Sequence, residues 1–259
     1  MRRPSVPALD GLPDIGRRPV PRRPPQSPAP RTPAHRRPLA AVGPAPGSLL
    51  VPMYVHPAVD PQPWRQLVRA APGLYGVVLN VADGPGRAFD PAFAQACEPL
   101  RAAGVRVLGY ADLAYGVRAS GDVGRDMRRY REWYGAQGAF LDRAPSGADR
   151  LPGTRAMIRA ARAEGARTVV LNPGVHPDPD YAQAADLLVT FEGTWQTYTQ
   201  TPVPAWTRRH RAERFCHLVY GVPEGLHDLV ARLARQRGAG VHCAVPGDGR
   251  NPWVSVPTG

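Results

Sequence analysis

The chain has 259 residues, long for one ordinary domain but the length that all-parallel α/β barrels use as one, and 43% of it is apolar. No apolar run approaches the roughly 18 to 20 residues that a membrane helix needs, so no membrane span is expected. The net charge of +12 comes entirely from arginine, since the sequence has no lysine. An arginine-only chain rich in Ala, Gly and Pro reflects composition bias, so the charge is no evidence for a nucleic-acid partner.

The charge is also uneven. Residues 1–46 hold nine Arg against Asp10 and Asp14, and thirteen prolines with almost no aliphatic clustering. Such a segment cannot bury enough surface to offset its ordering entropy and reads as a disordered tail, with the folded domain occupying 47–259. Behind Arg2 and Arg3 there is no apolar core of about 7 to 15 residues, so these residues do not support a secretory leader, and a cytoplasmic location is open.

From residue 48 short apolar runs alternate with amphipathic stretches, the pattern of repeated β-α units. The predicted strands are 48–55, 75–81, 105–111, 138–142, 168–172, 187–192, 216–222 and 239–245. Most are apolar throughout, as strands covered on both faces must be. Between them, Asp60-Pro61 and Asp90-Pro91 each place a capping oxygen before a proline whose missing N–H is harmless in a first helical turn. Helical stripes follow at Trp64, Leu67, Val68 and Ala71, at Phe93, Ala96, Cys97 and Leu100, and at Val123, Met127, Tyr130 and Tyr134. Further stripes lie in 157–165 and at Leu226, Leu229, Val230 and Leu233, whereas 192–215, with Pro202 and Pro204, is the least helical crossover. The fold class is therefore α/β, a (β/α)8 TIM-like barrel.

In such a barrel the chemistry sits where the strands end. Those positions hold Tyr54 and His56, Asn80 and Asp83, Tyr110 and Asp112, Asp142, Asn172, Glu192 and Tyr220. Polar side chains closing apolar strands cost free energy unless paired, so together they mark a candidate site. Asp142 and Glu192, on the fourth and sixth strands, suit glycoside hydrolysis: one protonates the leaving oxygen while the other stabilises or attacks the anomeric carbon. Asn80, Tyr110, Asp112, Asn172 and Tyr220 are candidates for positioning a sugar, with Tyr54 and His56 beside them. Trp195, Tyr198, Tyr115 and Trp253 are candidate stacking faces.

No Gly-rich phosphate loop follows the first strand, and "DGPG" (83–86) is a tight turn, so no nucleotide cofactor is expected. His56, His176 and His242 lack a helical metal pair, and no metal is expected. Cys97, Cys216 and Cys243 form an odd set without C-x-x-C spacing, although a bridge between Cys216 and Cys243 on the last two strands is geometrically conceivable.

The stretches "LLVPMYVHP", "VVLNVADGPG", "AGVRVLGYADLAYG", "YREWYGAQGAFLDR", "LNPG" and "VTFEG" resemble, in order and spacing, the spherulation-specific family 4, or spherulin-4-like, proteins over residues 48–257. The resemblance implies a TIM-barrel-like, monomeric protein, secreted or cell-surface, with a carbohydrate polymer as its partner. It also implies endo-glycosidase activity on polymers containing N-acetylgalactosamine and galactosamine, since fungal relatives act in that way.

In those relatives the fourth strand ends Leu-Asp-Glu and the sixth Phe-Glu-Gly, so the resemblance assigns catalysis to Asp142 and Glu192, while Arg143 stands where the relatives have Glu. Three outcomes are open. If the missing Glu is the general acid, permanently charged Arg143 cannot replace it, leaving a non-catalytic carbohydrate-binding barrel. If Asp142 and Glu192 are the essential pair, Arg143 could lower the pKa of Asp142 and leave Glu192 as the proton donor. If a 2-acetamido oxygen of the substrate attacks the anomeric carbon, one acid and one orienting carboxylate suffice.

Overall fold

The computed structural model describes residues 47–249 and 251–254. The expected tail, 1–46, lies outside the described residues. Eight parallel strands close into a barrel in sequence order: β1 (Leu49–Met53), β2 (Leu74–Leu79), β3 (Val107–Asp112), β4 (Gly138–Asp142), β5 (Thr168–Leu171), β6 (Leu187–Thr194), β7 (Phe215–Tyr220) and β8 (Val241–Ala244). The ring shuts where Leu49 of β1 meets His242 of β8. Val, Leu and Phe fill both faces, and Leu50, Val77, Leu79, Leu108, Val169 and Leu171 are all fully buried.

Six α-helices are present among the described residues: α1 (Gln62–Arg69), α2 (Pro91–Ala102), α3 (Ser120–Tyr134), α4 (Leu151–Ala163), α5 (Trp195–Gln200) and α6 (His227–Gln236). Asp90 caps α2 by accepting the Ala92 N–H. Asp60 accepts the Gln62 N–H at 2.9 Å, although α1 begins a residue later than a cap at Asp60 would place it. The β5–β6 crossover carries only the 3-10 turn Pro179–Gln183, and β6–β7 only the short α5 and two 3-10 turns. Cys97, Cys216 and Cys243 are free and buried; Cys243 stands opposite Leu218 rather than Cys216, so no bridge joins the last two strands.

Two local features set the site. Gly109 lets α3 lie flat on β3, since a Cβ there would come within 2.5 Å of the Tyr130 ring. In β6 the register with β7 shifts between Val189 and Phe191, a bulge that resets the inside-outside alternation just before Glu192.

Candidate active site

Lateral register builds the site. Asp112 pairs with Asp142 across β3 and β4, and Leu141 pairs with Leu171, which sets Asp142 beside Asn172 at the next position. Glu192 follows on β6, its N–H donating to the Gly174 carbonyl at 2.9 Å. The three meet in an open cavity of about 290 Å³, lined also by Tyr115, Arg143, Pro173, Gly174 and Tyr220.

Asn172 organises it. Its Nδ2 donates to Asp142 Oδ1 at 2.7 Å and to Glu192 Oε2 at 2.5 Å, while its Oδ1 accepts the Gly174 N–H at 2.9 Å. Two carboxylate oxygens bound to one nitrogen can be no farther apart than the two bonds laid end to end, about 5.2 Å. The Tyr110 hydroxyl, buried on β3, donates to the other oxygen, Asp142 Oδ2, at 2.8 Å.

The two acids are tuned differently. Burial raises Asp142 above its ordinary pKa, but Tyr110, the Arg143 backbone N–H and Asn172 all donate to the carboxylate and oppose that rise. Burial and then the charge of Asp142 push Glu192 up to about 7, with Asn172 and the Trp253 side chain opposing. Glu192 therefore keeps a proton up to the neutral range, where an ordinary glutamate has lost it.

Of the outcomes left open, a lowering of the Asp142 pKa by Arg143 is present, but it comes from the main chain and not from the charge. The Arg143 guanidinium turns away, its Nε 3.4 Å from Asp112 Oδ1 and its charge 4.9 Å above the Tyr115 ring; what it gives Asp142 is a main-chain N–H. A positive φ of 46° at Arg143 makes this turn, which bends the chain immediately after β4.

The remaining candidates divide. Tyr220 lines the cavity and packs edge-on against Trp253. Tyr54 stands edge-on to Tyr110, and burial followed by the charges of Asp142 and Glu192 holds its phenol protonated; the side chain of Asn80 bonds to it. Asn80 Oδ1 also accepts the Gly84 N–H, so it supports Tyr54 and the 80–84 turn. Asp112 caps its own loop by accepting the Ala114 N–H at 2.6 Å.

His56 is directed outward: its Nε2 meets Asp90 at 3.0 Å and its ring packs on Phe93, at the start of α2. Trp195 packs on Tyr198 beside β7 and is absent from the cavity lining, and Tyr198 itself is fully buried. Tyr115, by contrast, is 60% exposed at the mouth. Pro173 and Gly174 line the cavity without having been singled out by the sequence, because their role comes from backbone shape alone.

Among the described residues no cluster of three or more His, Cys, Asp or Glu side chains is placed to hold a metal. Burial holds His217 down to about 3 and His242 down to about 4, and the His217 Nδ1 is bonded to the Tyr198 hydroxyl. Nor, among the described residues, is any helix long and apolar enough to cross a membrane.

The family model for spherulation-specific family 4 matches residues 48–257, the whole barrel. The chain belongs to this family. It is 33% identical over 159 residues to Spherulin-4 of Physarum polycephalum, a match covering 60% of this chain and 47% of that protein, so the matched region is about half the length of its curated relative. Among solved structures, Aspergillus clavatus Sph3 in complex with GalNAc is similar with a TM-score of 0.70 and 25% identity, covering 83% of this chain and 94% of that one. A chitinase from Rhizomucor miehei shares the barrel alone, with a TM-score of 0.50 and 10% identity over 80% of this chain and 97% of its own. This chain thus shares its barrel with a protein solved with GalNAc bound.

Proposed function

We propose that this barrel is a retaining glycoside hydrolase acting on a polysaccharide that contains N-acetylgalactosamine and galactosamine. The observation that carries the reading is the single Asn172 amide nitrogen shared by Asp142 and Glu192. The upper bound of about 5.2 Å that it sets on their nearest oxygens holds the two acids close together, which favours the roughly 5 to 5.5 Å carboxyl spacing of retaining enzymes over the roughly 6.5 to 9.5 Å of inverting ones.

In this mechanism Glu192, protonated near neutrality, donates to the departing glycosidic oxygen. Asp142, held by three donors, faces the anomeric carbon as nucleophile, or orients the 2-acetamido group when that group attacks. Glu192 then takes a proton from water to complete hydrolysis. Both routes retain configuration, and the amino-sugar specificity draws on the likeness to a barrel solved with GalNAc.

Arg143 leaves this pair intact, because its charge lies toward Asp112 and Tyr115. The arrangement therefore favours an enzyme over a purely binding barrel. Incubation with partly deacetylated poly-N-acetylgalactosamine should release oligomers visible by mass spectrometry, with the anomeric proton signal by NMR showing retention. An intact polymer after prolonged incubation would refute the proposal.

A further inference from the structure

We infer that Arg143 and Tyr115 form a subsite at the rim of the cavity for the carboxylate of an acidic sugar, so that the polymer cleaved carries uronate units beside its amino sugars. This rests on the glycosidase reading and names a substrate feature that the catalytic pair leaves unspecified.

Four observations carry it. First, among the described residues Arg143 is the one cation that lines the cavity. Second, its charge is not engaged by the catalytic acids, since it serves Asp142 only through its main-chain N–H. Third, among the described residues its acidic neighbour is Asp112, which approaches Nε at a long 3.4 Å, and the two terminal amino groups make no hydrogen bond. That outer edge of the guanidinium is a planar fork whose parallel N–H groups match the two oxygens of a carboxylate. The side chain is 48% exposed, so the fork is reachable from solvent.

Fourth, the platform is built at a conformational cost. Ala114, Tyr115 and Arg143 all lie at positive φ, 47°, 54° and 46°, a region that residues with a side chain avoid unless the surroundings impose it. Two backbone bonds do impose it: Leu113 N–H to the Asp142 carbonyl at 2.9 Å and Tyr115 N–H to the Arg143 carbonyl at 2.7 Å. They join the loops after β3 and β4 and fix the guanidinium over one face of the exposed Tyr115 ring. An aromatic wall for a sugar's C–H face, with a fixed cation beside it, fits an acidic pyranose better than a neutral one.

Calorimetry with full-length protein carrying Glu192→Gln, so that ligand is not consumed, tests this. The probes are a hexasaccharide alternating N-acetylgalactosamine with glucuronate, and the same hexasaccharide with its carboxyl groups reduced to alcohols. The acidic form should bind about tenfold tighter at low salt, and the preference should shrink as salt rises. Adding Arg143→Gln should bring the ratio close to one, while Arg143→Lys should keep part of it, with thermal melts showing that both variants fold. Equal binding of the two probes, or a ratio unchanged by Arg143→Gln, would overturn the subsite while leaving the glycosidase reading standing. Failure to bind either probe would also overturn the subsite, while the glycosidase reading stands or falls separately on the release of oligomers from partly deacetylated poly-N-acetylgalactosamine.

Discussion

Tyr110 reaches from β3 to the end of β4 and donates a hydrogen bond from its hydroxyl to Asp142 Oδ2 at 2.8 Å, the oxygen that Asn172 leaves uncovered. Phe140 stands in register opposite Tyr110 with its ring stacked at 6.3 Å, so the hydroxyl is aimed by packing on the same strand that bears the acid. Tyr110→Phe removes one donor from a carboxylate that burial already raises. The acidic limb of the kcat/KM profile should move to higher pH, with about a tenfold loss at acidic pH and about 1 kcal/mol of stability. A pH-rate profile beside a denaturant titration checks both.

Asn172 is the shared donor, and Asn172→Asp replaces it with a third acid between two. Repulsion should raise the pKa values of the cluster together, lower kcat by at least about a hundredfold and push the remaining optimum toward higher pH. Asn172→Ala should also lose activity, but with a smaller upward shift, because it removes a donor without adding a charge, so comparing the two profiles separates charge from positioning.

Glu192 predicts a pH-dependent stability difference of definite sign. Its pKa is raised on folding from 4.5 to about 7, so the folded state binds the proton more tightly than the unfolded chain. Its contribution is present below pH 4.5 and is lost as pH rises to about 7, amounting to as much as about 3 kcal/mol. Glu192→Gln does not titrate. The variant should therefore gain stability relative to the parent between pH 5 and pH 8, seen as a growing Tm difference, and parent activity should fall above about pH 7.

Gly109 should not accept a side chain. Gly109→Ala would drive a methyl into the ring of fully buried Tyr130 and lift α3 from β3, at a cost of about 1 to 3 kcal/mol in thermal or denaturant unfolding. The change lies one residue before Tyr110, so a fall in kcat larger than the stability loss explains would show that the lift reaches Asp142.

The sequence revealed most of the barrel because each strand is a contiguous apolar run, and the observed strands fall within a few residues of the predicted ones. Asp142 and Glu192 were visible as carboxylates where such runs stop. What escaped depends on neighbours remote in the chain. That Asn172 joins the acids follows from the lateral register of β4, β5 and β6, and that His56 turns outward follows from Asp90, thirty-four residues away. Trp195 carries no local signal separating a stacking face from a packing one; Tyr198 and the β7 side of the barrel decide it. The direction of the Arg143 side chain is set by a positive φ that nothing in "GAFLDR" announces.

The central claim is that Asp142 and Glu192 act as one hydrolytic pair. It is tested most directly by mass spectrometry of oligomers released from partly deacetylated poly-N-acetylgalactosamine by the parent, Glu192→Gln and Asp142→Asn proteins, each shown folded by its melting curve. The account predicts oligomers from the parent and a loss of at least about a thousandfold in both variants. Undiminished release by either folded variant would contradict it.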